Sequence, residues 1–142
     1  MKLQPLNISW SKTKKNVEQI ISTYVYYNLS VDNSSTSFVN DTFTFSSLDI
    51  NGIDNKYTKI DTVEQKRRID FVNYFRFSFN KLTTDEKKII YWTYLDKENN
   101  YDEKYIANNL GFSLGYYYIK KKETIIRFAY CLGVEEFNDK TC

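Results

Sequence analysis

Apolar residues recur at helical spacing in successive stretches of the chain, separated by polar breaks. Val17, Ile20, Ile21, Tyr24 and Val25 sit at i, i+3, i+4, i+7 and i+8, which predicts an amphipathic helix over roughly Ser11 to Leu29. Ile69, Val72, Phe75 and Phe79, broadened by Phe71 and Tyr74, predict a second helix from Asp61 or Thr62 to about Lys81. Thr62 with Gln65 fits a capping box at its start. A third helix opens after Leu82, where Thr83-x-x-Glu86 is another capping box and Asp85 adds a favourable charge in the first turn. That helix carries Ile89, Ile90, Tyr94 and Leu95 inward, and Trp92 fits either face. Asp96 to Asn100 is a polar loop. Asp102 is a good N-cap for a short helix with Ile106, Ala107 and Leu110 on its buried edge. Gly111 follows as a left-handed C-terminal stop, and Ser113 caps a last helix running to about Cys131, stopped by Gly133.

Residues 30–60 lack this spacing. VDNSSTS is polar, and SFVNDTFTFSSLDI alternates in part, with Phe43 and Phe45 on one side. The region reads as a long linker, with a short strand or hairpin as an open alternative, ending in a turn at Asn51-Gly52. The expected fold is mainly α. A helical N-terminal part, residues 1–60 with its linker, would serve interaction or dimerisation. A helical domain over 61–142 would carry a helix-turn-helix at 102–131. The apolar face of the first helix is the candidate dimer or docking element.

Composition narrows the chemistry. With 142 residues and 42% apolar content, the chain is long enough to bury a helical core. It has no histidine, which removes His-based catalysis and His metal ligation. Cys131 and Cys142 are too few for a thiolate zinc site, and Cys131 lies in an apolar helical pattern that suits burial. No Gly-rich phosphate loop appears and the carboxylates are scattered, with Glu135-Glu136 reading as an acidic tail. No catalytic residue, metal site or cofactor is therefore expected, and the chain is expected not to be an enzyme. No apolar run approaches membrane-spanning length, and the N-terminus lacks an apolar signal-like stretch.

The net charge of +2 is small, but it is unevenly spread. Residues 82–142 carry 9 basic and 10 acidic side chains, yet Ser113 to Tyr130 holds Lys120, Lys121, Lys122 and Arg127 against Glu123 alone. A basic segment inside an acidic module is an electrostatic footprint for a polyanion. Lys12, Lys14 and Lys15 at the start of the first helix oppose its dipole. They form either a solvated face or a phosphate-contacting arm.

From Leu82-Thr83 onward, the run Tyr101-Asp102-Glu103-Lys104-Tyr105-Ile106-Ala107-Asn108-Asn109-Leu110-Gly111-Phe112-Ser113 resembles region 4 of bacterial sigma-70 factors. The sequel Tyr116-Tyr117-Tyr118-Ile119-Lys120-Lys121-Lys122, then Phe128-Ala129 and Leu132-Gly133, looks more narrowly like the ArpU and RinA group of phage late-gene regulators in Gram-positive hosts. The match covers about a third of the chain, and Thr124 stands where that group tends to have Ala. The resemblance implies a sequence-specific DNA-binding regulator, an activator of late phage genes, in the bacterial cytoplasm at the nucleoid. Its partners would be double-stranded promoter DNA, RNA polymerase, and a second copy or an inhibitory protein, with no membrane.

A recognition helix places its N-terminal residues against base edges in the major groove. Here those are Ser113, Leu114, Gly115, Tyr116, Tyr118 and Ile119, with Lys120, Lys121, Lys122 and Arg127 behind them and Lys104 on the supporting helix. Tyr117 is expected in the core. Tyr116 and Tyr118 suit either the groove or the edge of the core. The competing reading is a protein-interaction adaptor or sigma-like subunit on the same scaffold without autonomous DNA binding.

Overall fold

The structure, a computed structural model, describes residues 7–31, 43–48, 62–96 and 98–138. Those residues are mainly helical: α1 (Trp10–Val31), α2 (Thr62–Asn80), α3 (Thr84–Ile90), α4 (Glu103–Leu110) and α5 (Leu114–Leu132). Past Ile90, α3 widens into a π turn over Tyr91–Leu95, closed by Asp96 N–H donating to Tyr91 O at 2.8 Å. The only pairing of strand type among the described residues is an isolated antiparallel bridge between Ile8 and Phe137.

Two apolar clusters share α5. The larger collects Val17, Ile21 and Tyr24 from α1, Ile69, Val72, Phe75 and Phe79 from α2, and Ile125, Phe128, Ala129 and Leu132 from α5. At its centre the Tyr24 and Phe75 rings stack 3.8 Å apart, and Phe128 meets Phe75 edge-on at 5.4 Å. Such aromatic pairs add about 0.5–1.5 kcal/mol beyond the area they bury. The smaller cluster is Ile89, Ile106, Ala107 and Tyr117, with Trp92, Tyr101, Leu110 and Phe112 packed around it.

Several expectations change here. The apolar face of α1, expected to dock a partner, is buried within the chain against α2 and α5. α1 thus shares its core with helices beyond residue 60. Its start is engaged: the Ser9 hydroxyl accepts from Lys12 N–H at 3.4 Å, and Lys14 Nζ lies 5.9 Å from the centre of the Trp10 ring. Thr62 is already helical rather than an N-cap, and Gln65 is buried rather than reaching back to cap the turn. The expected acidic tail is tied down. Ser9 N–H donates to Glu136 O at 2.8 Å, and Thr13 both donates to that carbonyl and accepts from Glu136 N–H.

Segment 43–48 forms no strand. It is held instead by two asparagines on the same face of α2, two turns apart. Phe45 N–H donates to Asn80 Oδ1 and Phe45 O accepts from Asn80 Nδ2, each at 2.9 Å. Leu48 pairs with Asn73 in the same reciprocal way at 2.7 and 3.0 Å. Side-chain amides thus satisfy the backbone groups that a neighbouring strand would otherwise take. Phe43, at φ 61, breaks the alternation, so Phe45 enters the main core while Phe43 lies edge-on to Tyr91 and Trp92. Buried Arg76 joins three elements, donating to Tyr24 Oη, Asn28 Oδ1 and Ser46 O at 3.0–3.1 Å. The turn expected at Asn51-Gly52 lies outside the described residues, as does Cys142. Cys131 is half-buried, and burial pushes its thiol above the usual cysteine range.

The asparagine pins carry a testable cost. Asn80→Ala removes the side-chain partner of the Phe45 amide and carbonyl at the edge of the core, which is expected to lower stability by about 1–3 kcal/mol. Urea unfolding measures it, and a midpoint equal to wild type would show that the pin contributes nothing.

Candidate nucleic-acid interface

Local hydrogen bonds set the frame of α3, α4 and α5. The Thr83 hydroxyl accepts from Glu86 N–H at 3.3 Å, and Glu86 Oε1 accepts from Thr83 N–H at 2.9 Å, completing the capping box of α3. Asp102 Oδ1 accepts from Tyr105 N–H at 2.7 Å and starts α4. Gly111, at φ 75, ends it; Phe112 N–H then returns to Ala107 O at 2.9 Å, the six-to-one bond of a Schellman turn. Phe112 itself packs on the smaller cluster. One residue on, the Ser113 hydroxyl accepts from Tyr116 N–H at 3.2 Å and α5 begins. Three residues, Gly111 to Ser113, therefore turn α4 into α5.

Tyr117 fixes the rotation of α5 about its axis. It is fully buried between α3 and α4, beside Ile89, Ile106 and Ala107. Its phenol is pushed up by burial and stays neutral. The oxygen faces Thr93, yet neither hydroxyl closes a hydrogen bond of proper geometry. Nearby, Tyr94 Oη donates to Glu18 Oε2 at 2.8 Å, tying the π turn to α1, and its phenol is also pushed up, by burial and then by Glu18.

With Tyr117 inward, the rest of the first two turns faces solvent. Ser113, Leu114, Gly115, Tyr116, Tyr118 and Ile119 are all exposed, Ile119 the most of the large apolar side chains at 59%. Tyr116 rests edge-on against Phe112 at 4.8 Å, and Tyr101 stacks on Tyr105 at 4.6 Å on the neighbouring α4 side. Lys104 is exposed on α4.

The basic residues of α5 divide. Lys121 Nζ reaches Glu103 Oε2 at 3.4 Å and ties α5 to α4. This partly exposed pair contributes at most about 1 kcal/mol. Lys122 Nζ lies 5.2 Å from the centre of the Trp10 ring, which Lys14 also approaches, so it braces α5 against the start of α1. Arg127 Nε donates to Glu86 Oε2 at 2.8 Å, and that carboxylate is buried. Arg127 also lies about 20 Å along the helix from Ser113, at 1.5 Å per residue. Its position is thus that of a core brace rather than of a groove residue. Lys120, half-buried, makes no such ion pair among the described residues.

Sequence reasoning missed Trp10 and Glu103 as partners of these lysines. The capping pattern did single out Glu86, but its burial and its link to Arg127 have no local signal. Among the described residues no group of three or more metal-ligating side chains gathers, and no helix is long and apolar enough to cross a membrane.

Compared with known proteins, the chain matches no family model, no curated protein and no solved structure.

Two substitutions test this geometry. Arg127→Ala strands the Glu86 carboxylate without its counter-ion and is expected to cost about 1–3 kcal/mol in a urea titration. A loss below a few tenths would show that solvent takes over from Arg127. Gly115→Ala should do the reverse. A Cβ there meets nothing within 4 Å, so the change is expected to stabilise by about 0.4–1 kcal/mol and to raise the melting temperature.

Proposed function

We propose that this chain is a sequence-specific DNA-binding transcription regulator, with α4, the Gly111–Ser113 turn and α5 acting as its helix-turn-helix. The observation that carries the reading is the split of α5 into a buried Tyr117 pole and a solvent-facing pole of Leu114, Gly115, Tyr116, Tyr118 and Ile119. Folding gives no reason to present that many large apolar groups on two turns of one helix; docking into a major groove does. Lys104 and Lys120 supply phosphate attraction beside it, and the N-terminus of α4 can aim backbone N–H groups at a phosphate. The resemblance to the ArpU and RinA group supports promoter DNA as the partner and late phage genes as the setting, in the cytoplasm of a Gram-positive host.

The alternative is an adaptor that uses the same face to bind another protein, such as RNA polymerase. One observation favours it: Lys121, Lys122 and Arg127 are engaged within the chain, so the exposed face is more aromatic than basic. Footprinting on late-promoter DNA of the encoding genome, with and without polymerase, separates the two. The regulator protects a site by itself or with polymerase. The adaptor protects none and co-purifies with a protein.

Lys104→Glu combined with Lys120→Glu is expected to abolish retention on DNA with helical circular dichroism unchanged. Wild-type affinity should also fall as salt rises, as released counterions require. Retention that survives the double reversal would sink the placement of the interface on these helices.

A further inference from the structure

At about 100° per residue, Gly115 and Ile119 lie opposite Tyr117, one turn apart, with Tyr116 and Tyr118 on the two flanks. Ile119 is exposed at the centre of this face, and nothing lies within 4 Å of a Cβ placed on Gly115. A β-branched residue and a glycine both lower helix propensity, and here neither contributes to the core. Their presence suits a surface that something else must approach closely.

The same face is poor in hydrogen-bonding base readers. Ser113 to Ile119 contains no Arg, Lys, Asn, Gln, Asp or Glu, and the Ser113 hydroxyl already caps the helix. Guanine is read by Arg or Lys, adenine by Asn or Gln, and cytosine N4 by Asp or Glu. Thymine is the base recognised through an apolar group, its C5-methyl. Resting on the DNA-binding reading of α5, we propose that the Gly115–Ile119 stripe reads thymine methyl groups, so that the core of the target is a run of A·T pairs. Gly115 leaves room for the base edge to come close to the helix backbone, and Ile119 covers the methyl. Tyr116 and Tyr118 bound the stripe on each side. Lys104 and Lys120 add attraction to phosphates that is indifferent to sequence.

The test uses the full chain and a pool of random-sequence duplexes. The enriched duplex is remade with each core thymine replaced by uracil, which removes only the methyl. An A·T core is expected, with affinity falling roughly fourfold per contacted methyl, the worth of one buried apolar carbon. Ile119→Ala should bind thymine and uracil duplexes alike, with its helical circular dichroism intact. Gly115→Ala should weaken the thymine duplex although it stabilises the fold. Lys120→Ala should weaken both duplexes by the same factor. A core of G·C pairs, or equal affinity for thymine and uracil, overturns the methyl reading and leaves DNA binding standing. Enrichment of no duplex overturns both.

Discussion

One stripe along α5, running from Tyr117 through Thr124, Ile125 and Phe128 to Leu132, is the contact on which every other helix depends. Its first residue packs with α3 and α4, and its last three with α1 and α2. α1, α2, α3 and α4 all touch this helix. The orientation of the exposed face of α5 is therefore not a local matter. It is fixed at one end by an aromatic ring buried between two short helices, and at the other by a core built mostly from residues far away in the chain. Rotating the face by a third of a turn would take Tyr117 and Phe128 out of their sites together, at about 3–5 kcal/mol for each large aromatic lost from a core.

Buried polar groups add direction to this core. Arg76, Glu86 and Lys87 are buried, and each joins separate parts of the chain. Glu86 caps α3 and takes Arg127 from α5, so one carboxylate sets both where α3 begins and how it lies against α5. Arg76 gathers α1, α2 and segment 43–48 around the Phe45 ring. Lys87 Nζ donates to Thr44 Oγ1 at 3.0 Å, and burial holds its ammonium below the usual lysine range. Buried charge is tolerable only with partners in good geometry, so each group admits few alternative packings.

The parts legible in the sequence were those whose partners lie within a turn. Thr83 with Glu86, Asp102, Gly111, Ser113 and Gly133 are bounded by bonds three to five residues long, and their side-chain types announce them. The inward position of Tyr117 was expected from its place four residues after the cap, where the helix-turn-helix motif it resembles buries an apolar residue. Contacts between distant residues left no such trace. Nothing near Lys122 points to Trp10, nothing near Arg127 points to a carboxylate 41 residues earlier, and nothing in the Phe43–Leu48 pattern points to amides on α2. The Thr62–Gln65 pattern was a false match of the same origin. Its residue types fit a cap, but the buried face of α2 claims Gln65.

The clasp between Ser9 and Glu136, with Ile8 bridged to Phe137, has a consequence for the order in which the chain is made. α1 is synthesised long before the groups that hold its start in place, and the helix it packs on ends only at Leu132. Until α5 emerges, the α1 face lacks the cover that α5 supplies. The nascent chain thus carries part of this apolar surface uncovered between the synthesis of α1 and that of α5, a period on the order of ten seconds at typical elongation rates. Closure of this core therefore waits for α5.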